Sequence, residues 1–141
     1  MKVARAVAET AERLEAAGCD SPRVDAELLV GHVASLARSE LALEAERKLS
    51  KRERAQLERL VARRAGREPL AYVLGEWGFR RLTLAVDARV LVPRPETEVV
   101  VERCLERLAG LAAPEVLDVG TGSGAIALAI ADEHPGARVT A

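Results

Sequence analysis

The sequence predicts an α/β protein with an N-terminal helical bundle, a β-hairpin joint and the first β-α-β unit of a parallel sheet. Three observations predict this class. Apolar residues recur at helical spacing in the first half, and apolar and polar residues alternate after Arg81. A glycine-rich turn, residues 120–124, separates a short apolar strand from a helix. We expect a helical domain at 1–68, a hairpin linker at 69–93 and the start of a second domain at 94–141.

Start and stop residues delimit the helices of the first half. The first helix ends near Gly18, and residues 21–22, Ser-Pro, fit the N-cap and first position of the second. After a short turn, Ser50 and Glu53 form a capping box that opens a third helix, which ends at Gly66. The apolar stripes comprise Val3, Val7, Ala11 and Leu14, then Val24, Leu28, Val33 and Leu36, then Leu57, Leu60 and Val61.

A hairpin is predicted between the two halves. Residues 82–86 alternate as in a strand, Asp87-Ala88 fits a turn, and residues 90–92 resume a strand. The aromatic residues all fall within 72–79, where we expect them to anchor the joint between domains.

A helix and a β-α-β unit complete the chain. The helix runs from about Glu96 to Leu108, and its predicted inward residues are Val99, Val100, Cys104, Leu105 and Leu108. Strand 115–119, helix 125–133 and strand 137–141 follow. Because a parallel sheet needs more strands and covering helices, we expect the sequence to be a truncated piece of a longer protein.

Composition and charge exclude several classes of function. The chain has 141 residues, of which 49% are hydrophobic, and a formal net charge of −1. Tyr72, Trp77 and Phe79 are its only aromatic residues. Nucleic-acid binding relies on a basic surface or on stacking side chains, so direct binding of nucleic acid is not expected.

Cysteines and apolar stretches exclude further classes. Cys19 and Cys104 lie far apart and no histidine cluster accompanies them, so we expect no metal site and no disulfide framework. The N-terminus has no signal-peptide core, and the longest uncharged apolar stretch, 119–131, is too short to span a bilayer. We expect a cytoplasmic chain with no membrane segment.

The glycine-rich turn predicts a ligand site, because a strand–glycine–helix connection lets a ligand approach the backbone and the helix N-terminus. Gly120, Gly122 and Ala125 satisfy the looser dinucleotide-binding pattern. Asp118 discriminates between ligands, since its carboxylate would repel a pyrophosphate and attract a cation. It favours S-adenosylmethionine, which carries a sulfonium and an ammonium group, over NAD. The alternative is a tight turn with no ligand.

Two segments resemble the release-factor glutamine methyltransferase family (PrmC/HemK). Residues 90–98 read Val-Leu-Val-Pro-Arg-Pro-Glu-Thr-Glu, and residues 116–129 read Val-Leu-Asp-Val-Gly-Thr-Gly-Ser-Gly-Ala-Ile-Ala-Leu-Ala. Residues 69–75 and Phe79 also match that family's joint, and the helical half matches its N-terminal domain in type and position. The resemblance covers the whole chain and implies a Rossmann-like methyltransferase domain.

The resemblance implies S-adenosylmethionine-dependent methylation of the Gly-Gly-Gln glutamine of peptide-chain release factors. In that family an Asn-Pro-Pro-Tyr motif orients the glutamine amide toward the sulfonium methyl. The chain contains no asparagine, so this motif is missing and we expect the chain alone to be inactive. Sister enzymes that methylate a ribosomal-protein glutamine are the second reading.

The resemblance also assigns candidate site residues. The cofactor-binding set is Asp118, Gly120, Thr121, Gly122, Ser123 and Gly124. Asp118 holds the methionine end of the cofactor or braces the loop backbone. Arg94 and Glu98 line the rim of the active site, or they pair with each other and cap the helix.

A basic segment, residues 47–67, suggests a docking face for the release factor. Its nine basic side chains outnumber two acidic ones, although a charge run of this kind favours a solvated helix face over a docking face. The basic residues are Arg47, Lys48, Lys51, Arg52, Arg54, Arg59, Arg63, Arg64 and Arg67. Two further readings remain open: a nucleotide-dependent oxidoreductase that uses the same loop, and a helical protein-interaction module.

Overall fold

A computed structural model describes residues 1–141 and divides them into a helical unit, Met1–Leu74, and a second unit, Gly75–Ala141. The helical unit contains α1 (Val3–Ala16), α2 (Pro22–Ala34), a 3-10 turn (Arg38–Glu40), α3 (Lys51–Ala65) and α4 (Leu70–Leu74). The second unit contains β1 (Glu76–Phe79), β2 (Leu82–Ala85), α5 (Pro95–Leu108), β3 (Glu115–Leu117), α6 (Ala125–Glu133) and β4 (Arg138–Thr140). This order confirms the predicted fold class, while the three-part division at 68 and 93 stays a prediction.

The core of the helical unit forms where α2 packs between α1 and α3. Its fully buried large side chains are Val3, Leu14, Leu29, Val30, Leu57 and Val61. Burial of each such side chain contributes about 1.5–3 kcal/mol to folding, so these contacts are the main source of the bundle's stability. The predicted stripe is wrong at Val24, which is exposed because the inward face of α2 runs through Leu29, Val30 and Val33 instead.

The capping box at the start of α3 is confirmed. The Glu53 N–H donates to Ser50 Oγ at 3.2 Å, and the Ser50 N–H donates to Glu53 Oε2 at 2.6 Å. These backbone and side-chain bonds, together with Arg47, lower the pKa of Glu53. At α2, Ser21 occupies the N-cap position but its side chain makes no capping bond, because its backbone is not in the extended conformation that Ser50 adopts.

A buried ion pair joins α2 to α3. Arg64 Nε lies 2.7 Å from Asp25 Oδ2, and the two side chains are only 13% and 8% exposed. Arg64 Nη1 also donates to the Glu68 carbonyl at 3.0 Å. In the sequence, Arg64 belongs to the basic segment considered as a docking face. In the structure its side chain is largely buried and paired with Asp25.

The hairpin pairs β2 with the strand that precedes it in the chain, whereas the sequence predicted pairing with the segment that follows it. β1 pairs antiparallel with β2, and residues 80–81 make the turn. Residues 90–92 form no strand, because Asp87 folds the chain locally: its Oδ1 accepts from the Arg89 N–H at 3.0 Å and its carbonyl from the Val90 N–H at 3.1 Å. A hairpin therefore follows the helical half as predicted, but the predicted turn at Asp87-Ala88 and the predicted strand at 90–92 are wrong.

The inward face of α5 differs from the prediction by one position. Val101 is fully buried, whereas Val99 and Val100 are about half exposed. Cys104 and Leu105 are partly buried, in keeping with a face that steps by three and four residues from Val101. No helix of the chain is both long and apolar enough to cross a membrane.

The β-α-β unit is confirmed. β3 and β4 pair in parallel, with Glu115 opposite Arg138 and Leu117 opposite Thr140. The connecting α6 buries Ala125, Ala127, Ala129 and Ile130. The unit therefore places the glycine loop, residues 120–124, between the carboxyl end of β3 and the N-terminus of α6, the usual ligand position in a sheet of this kind.

Candidate functional site

Backbone hydrogen bonds fix both ends of the glycine loop. The Asp118 N–H donates to the Thr140 carbonyl at 2.8 Å, which ties the start of the loop to β4. The Gly124 N–H donates to the Thr121 carbonyl at 2.9 Å and closes a turn just before α6. The N–H groups of residues 120–123 donate to no acceptor in the protein, so they are available to a ligand.

Glycine is required in this loop by backbone conformation. Gly120 and Gly122 have φ values of +78° and +59°. A Cβ at Gly120 would meet no atom within 4 Å, so the space beside the backbone is open. A side chain would cost about 1–2 kcal/mol at each such position because it crowds the carbonyl in the left-handed conformation.

Two buried polar atoms beside the loop have no partner. Asp118 Oδ2 and Thr121 Oγ1 are both inaccessible to solvent and form no hydrogen bond within the protein. Buried polar atoms nearly always have a partner, and leaving one unpaired costs about 1–3 kcal/mol. An acceptor and a hydroxyl left unpaired around one open backbone turn are therefore typical of a ligand site.

The donors and acceptors of this loop suit a ligand that carries both an ammonium and a carboxylate group. The Asp118 carboxylate suits an ammonium group, and the free N–H groups of residues 120–123 suit a carboxylate. A pyrophosphate would meet the same N–H groups, but it would lie against the Asp118 charge. The sequence-predicted loop residues, Asp118 and 120–124, are thus brought together in one turn.

Arg94 and Glu98 lie at the start of α5 and have no hydrogen bond to the glycine loop. Arg94 is exposed, and its carbonyl accepts from the Thr97 N–H at 3.0 Å. Glu98 Oε1 accepts from the Arg80 N–H at 2.9 Å. The expected alternative, a pair between Arg94 and Glu98, is not formed because the Glu98 carboxylate is bonded to the hairpin turn.

Arg80 links three elements of the second unit and was not singled out from the sequence. Its Nε and Nη2 donate to the two carboxylate oxygens of Glu133 at 2.5 and 2.8 Å, and its Nη1 donates to the Glu98 carbonyl at 3.3 Å. It adopts a φ of +51°, which is uncommon for a residue other than glycine. Arg80 therefore holds the β1–β2 turn against α5 and α6.

Replacing Glu133 with glutamine is expected to destabilise the second unit at neutral pH and to weaken its sensitivity to acid. The hydrogen bond from Arg80 lowers the pKa of Glu133 from its ordinary 4.5, so the folded state takes up the proton less readily than the unfolded chain. This stabilisation is complete above the unfolded-state pKa and is lost as pH falls through the lower folded-state pKa. Urea unfolding followed by Trp77 fluorescence should give a deficit of about 1–2 kcal/mol at pH 7 that shrinks below about pH 4.

The matched control for this prediction is Glu106→Gln. Glu106 pairs with Arg103 on the exposed face of α5, and such surface pairs contribute little, about 0.5 kcal/mol or less. A deficit in Glu133→Gln that stays constant from pH 7 to about pH 3 would contradict the role given to the ionised pair.

The structure divides the basic segment into two sets. Four members are held within the helical unit: Arg47 by Glu53, Arg63 by Glu68, Arg64 by Asp25, and Arg67 by the Gly18 carbonyl. The exposed members without an ion pair are Lys48, Lys51, Arg52, Arg54 and Arg59. A docking face, if formed by this segment, therefore uses the second set.

The remaining chemistry-bearing residues do not cluster. Cys19 is a buried free thiol whose Sγ lies 3.7 Å from the Arg64 carbonyl, and Cys104 is a half-buried free thiol. His134 follows α6, and its Nδ1 is buried without a partner. No group of three or more His, Cys, Asp or Glu side chains is placed to hold a metal ion.

Comparison with known proteins finds matches along most of the chain. Residues 5–75 match the model of the PrmC N-terminal domain. A Vibrio cholerae protein is 48% identical over 92% of this chain and 45% of its own length. Proteins of Moorella thermoacetica and Deinococcus radiodurans are 42% and 43% identical over 100% of this chain and 50% and 51% of their own lengths. All three are named release factor glutamine methyltransferase.

The chain spans about half the length of these curated relatives. The family match covers the helical bundle, and the longer matches also take in the hairpin, α5 and the glycine loop. The segments that resemble the family in sequence therefore include the helical bundle, the hairpin, α5 and the glycine loop of the candidate site. The chain belongs to the release factor glutamine methyltransferase family, and its residues 5–75 are a PrmC N-terminal domain.

Proposed function

We propose that this chain supplies the recognition domain and part of the cofactor site of an S-adenosylmethionine-dependent methyltransferase. The acceptor is the side-chain amide of the glutamine in the Gly-Gly-Gln loop of peptide-chain release factors. One observation carries the proposal: the unpartnered, buried Asp118 oxygen beside a glycine loop whose N–H groups are free. The name shared by the relatives supports the acceptor.

Charge supports S-adenosylmethionine over a dinucleotide. Asp118 lies at the carboxyl end of β3, directly before the loop that a ligand would approach. A partly buried carboxylate with no partner in the protein attracts a cationic ligand and repels a pyrophosphate. When bound, the cofactor supplies an electrophilic methyl group on a sulfonium centre.

The residues of the loop have separate roles in this proposal. The partly exposed Asp118 carboxylate accepts a hydrogen bond from the ammonium group of the cofactor, and the N–H groups of residues 120–123 donate to the cofactor's carboxylate. Thr121 Oγ1 provides a further polar contact from the same turn. Gly120 and Gly122 keep the backbone open for close approach.

The methyl acceptor needs positioning that these residues do not supply. An amide nitrogen is a poor nucleophile because its lone pair is delocalised, so catalysis depends on orienting it toward the methyl group. The chain contains no asparagine, and therefore not the Asn-Pro-Pro-Tyr motif that the family resemblance implies. We place Arg94 and Glu98 at the rim of the active site and expect no methyl transfer from the 141 residues alone.

The helical unit is the proposed recognition domain, and its exposed basic side chains form the proposed docking face. Lys51, Arg52 and Arg59 are exposed on α3, and none is committed to an ion pair. A face of this charge favours an acidic surface on the release factor. Because release factors act in translation, we propose a cytoplasmic location.

Transfer of a tritiated methyl group tests the function. The product of the complete reading frame and the 141-residue chain are each incubated with labelled S-adenosylmethionine and a release factor. We expect label in the release factor only with the complete product, and none when the Gly-Gly-Gln glutamine is replaced by alanine. Label in the alanine variant, or none with the complete product, contradicts the proposal. Label transferred by the 141-residue chain contradicts the assignment of catalysis to a motif outside it.

A further inference from the structure

The helical unit carries a cleft that neither the glycine loop nor the basic segment explains. It has a volume of about 710 Å³ and lies between α1, the start of α2 and the residues that follow the 3-10 turn. Its floor is apolar: the accessible residues Ala4, Ala42 and Ala45 lie over Val7 and Leu41, which are almost fully buried. The charged side chains of Arg23, Glu27 and Arg38 also line the cleft. The cleft therefore offers an apolar surface beside a charged rim.

The rim has guanidinium groups with unused donors. Arg23 Nε donates to Glu27 Oε1 at 2.7 Å, and Arg38 Nε donates to Glu27 Oε2 at 2.6 Å. The terminal nitrogens, Nη1 and Nη2, of both arginines donate to no acceptor in the protein, and both side chains are more than half exposed. Arg23 and Arg38 both pair with the single carboxylate of Glu27, so the three side chains together carry a net charge of +1.

The Glu27 carboxylate accepts hydrogen bonds from both arginines of this rim. Its side chain is largely buried, and hydrogen bonds from Arg38 and Arg23 lower its pKa. It therefore stays ionised at neutral pH and holds both guanidinium groups at the edge of the cleft. Their outer N–H groups are placed beside the apolar floor, where a planar carboxylate can accept two parallel hydrogen bonds.

The apolar floor selects among anionic ligands. A free phosphate or a nucleic-acid backbone would use the arginines but would leave the accessible apolar lining at Ala4, Ala42 and Ala45 uncovered. Leu43, in the same loop as those residues, is almost fully exposed and extends the apolar surface beyond the cleft. The combination favours a ligand that brings an apolar side chain and a carboxylate together, as a protein segment does.

We propose that this cleft binds a segment of a partner protein in which a carboxylate side chain lies next to an apolar side chain. The carboxylate accepts from the free guanidinium donors of Arg23 and Arg38, and the apolar side chain covers the accessible floor at Ala4, Ala42 and Ala45. None of the residues that line this cleft belongs to the glycine loop.

An NMR titration of the ¹⁵N-labelled chain tests the proposal with a defined probe. The probe is the capped peptide acetyl-Glu-Leu-Leu-Glu-amide, and the controls replace either both Glu by Gln or both Leu by Ser. We expect saturable shifts at the amides of Val7, Leu41 and Ala45, with affinity reduced about ten-fold or more in each control peptide. Absence of saturable shifts, or equal affinity for either control peptide, overturns the inference, as does inorganic phosphate alone giving the same shifts.

Variants of the chain provide a second test of the proposed cleft. Arg38→Gln removes one of the two guanidinium groups of the rim. Ala42→Glu adds a carboxylate at an exposed position on the lining of the cleft. We expect each to weaken the probe about ten-fold, while Arg103→Gln, which breaks a similar exposed pair on α5, leaves the affinity unchanged. Wild-type affinity in both Arg38→Gln and Ala42→Glu overturns the inference.

Discussion

Replacing Asp118 with asparagine is expected to weaken S-adenosylmethionine binding by about ten-fold or more. A hydrogen bond between a charged donor and a charged acceptor contributes about 1.5–3 kcal/mol, and asparagine keeps the shape of the side chain without its charge. The loop itself should be preserved, because the Asp118 backbone N–H, and not its carboxylate, bonds to Thr140. Equilibrium dialysis with labelled cofactor measures the change.

Asp132→Asn is the control for this prediction. Asp132 lies on α6, is well exposed and pairs with Arg81, so its replacement removes one negative charge from the same unit without touching the loop. We expect the control to bind like the wild type. Equal affinity in Asp118→Asn and Asp132→Asn would mean that the Asp118 carboxylate does not hold the ligand.

Replacing Asp25 with alanine is expected to destabilise the helical unit by about 3 kcal/mol or more. The substitution leaves the Arg64 guanidinium largely buried without its charged partner, and an uncompensated buried charge is among the most destabilising changes known. Hydrogen exchange at the amides of Leu29 and Val61 in the core measures the free energy of opening. Trp77 lies in the second unit, and its fluorescence reports whether the loss stays within the helical unit.

Two further variants sharpen this prediction. Glu9→Ala breaks an exposed pair with Arg5 one helix away and should cost about 0.5 kcal/mol or less. Asp25→Leu combined with Arg64→Met removes both charges and should recover most of the loss, since apolar residues of similar volume can replace a buried pair. Asp25→Ala with a cost as small as that of Glu9→Ala would contradict the account of the pair.

Features that depend on local chemistry could be predicted from the sequence. The Ser50–Glu53 capping box and the glycine loop each combine a few neighbouring residues whose conformation follows from their own side chains. The loop's place between β3 and α6 followed from the change from strand to helix periodicity. Its ligand remains a prediction, because loop geometry alone fits more than one cofactor.

Features that depend on distant partners could not be predicted. Residues 80–81 form the hairpin turn without the glycine, asparagine or aspartate that usually marks one, because Arg80 is held by Glu133, a residue far along the chain. The sequence indicated that Arg64 is one of several exposed cations, whereas in the structure it pairs with Asp25 on α2. In both cases the charged partner lies on another element, far along the chain.

The most direct test of the central claim is an NMR titration of this chain with S-adenosylmethionine and, separately, with NAD at the same concentrations. We expect saturable shifts at the amides of residues 118–124 with S-adenosylmethionine and none there with NAD. We expect weak affinity, because the chain spans about half the length of its relatives. Shifts with NAD and not with S-adenosylmethionine, or no shifts in the glycine loop with either ligand, would contradict the central claim.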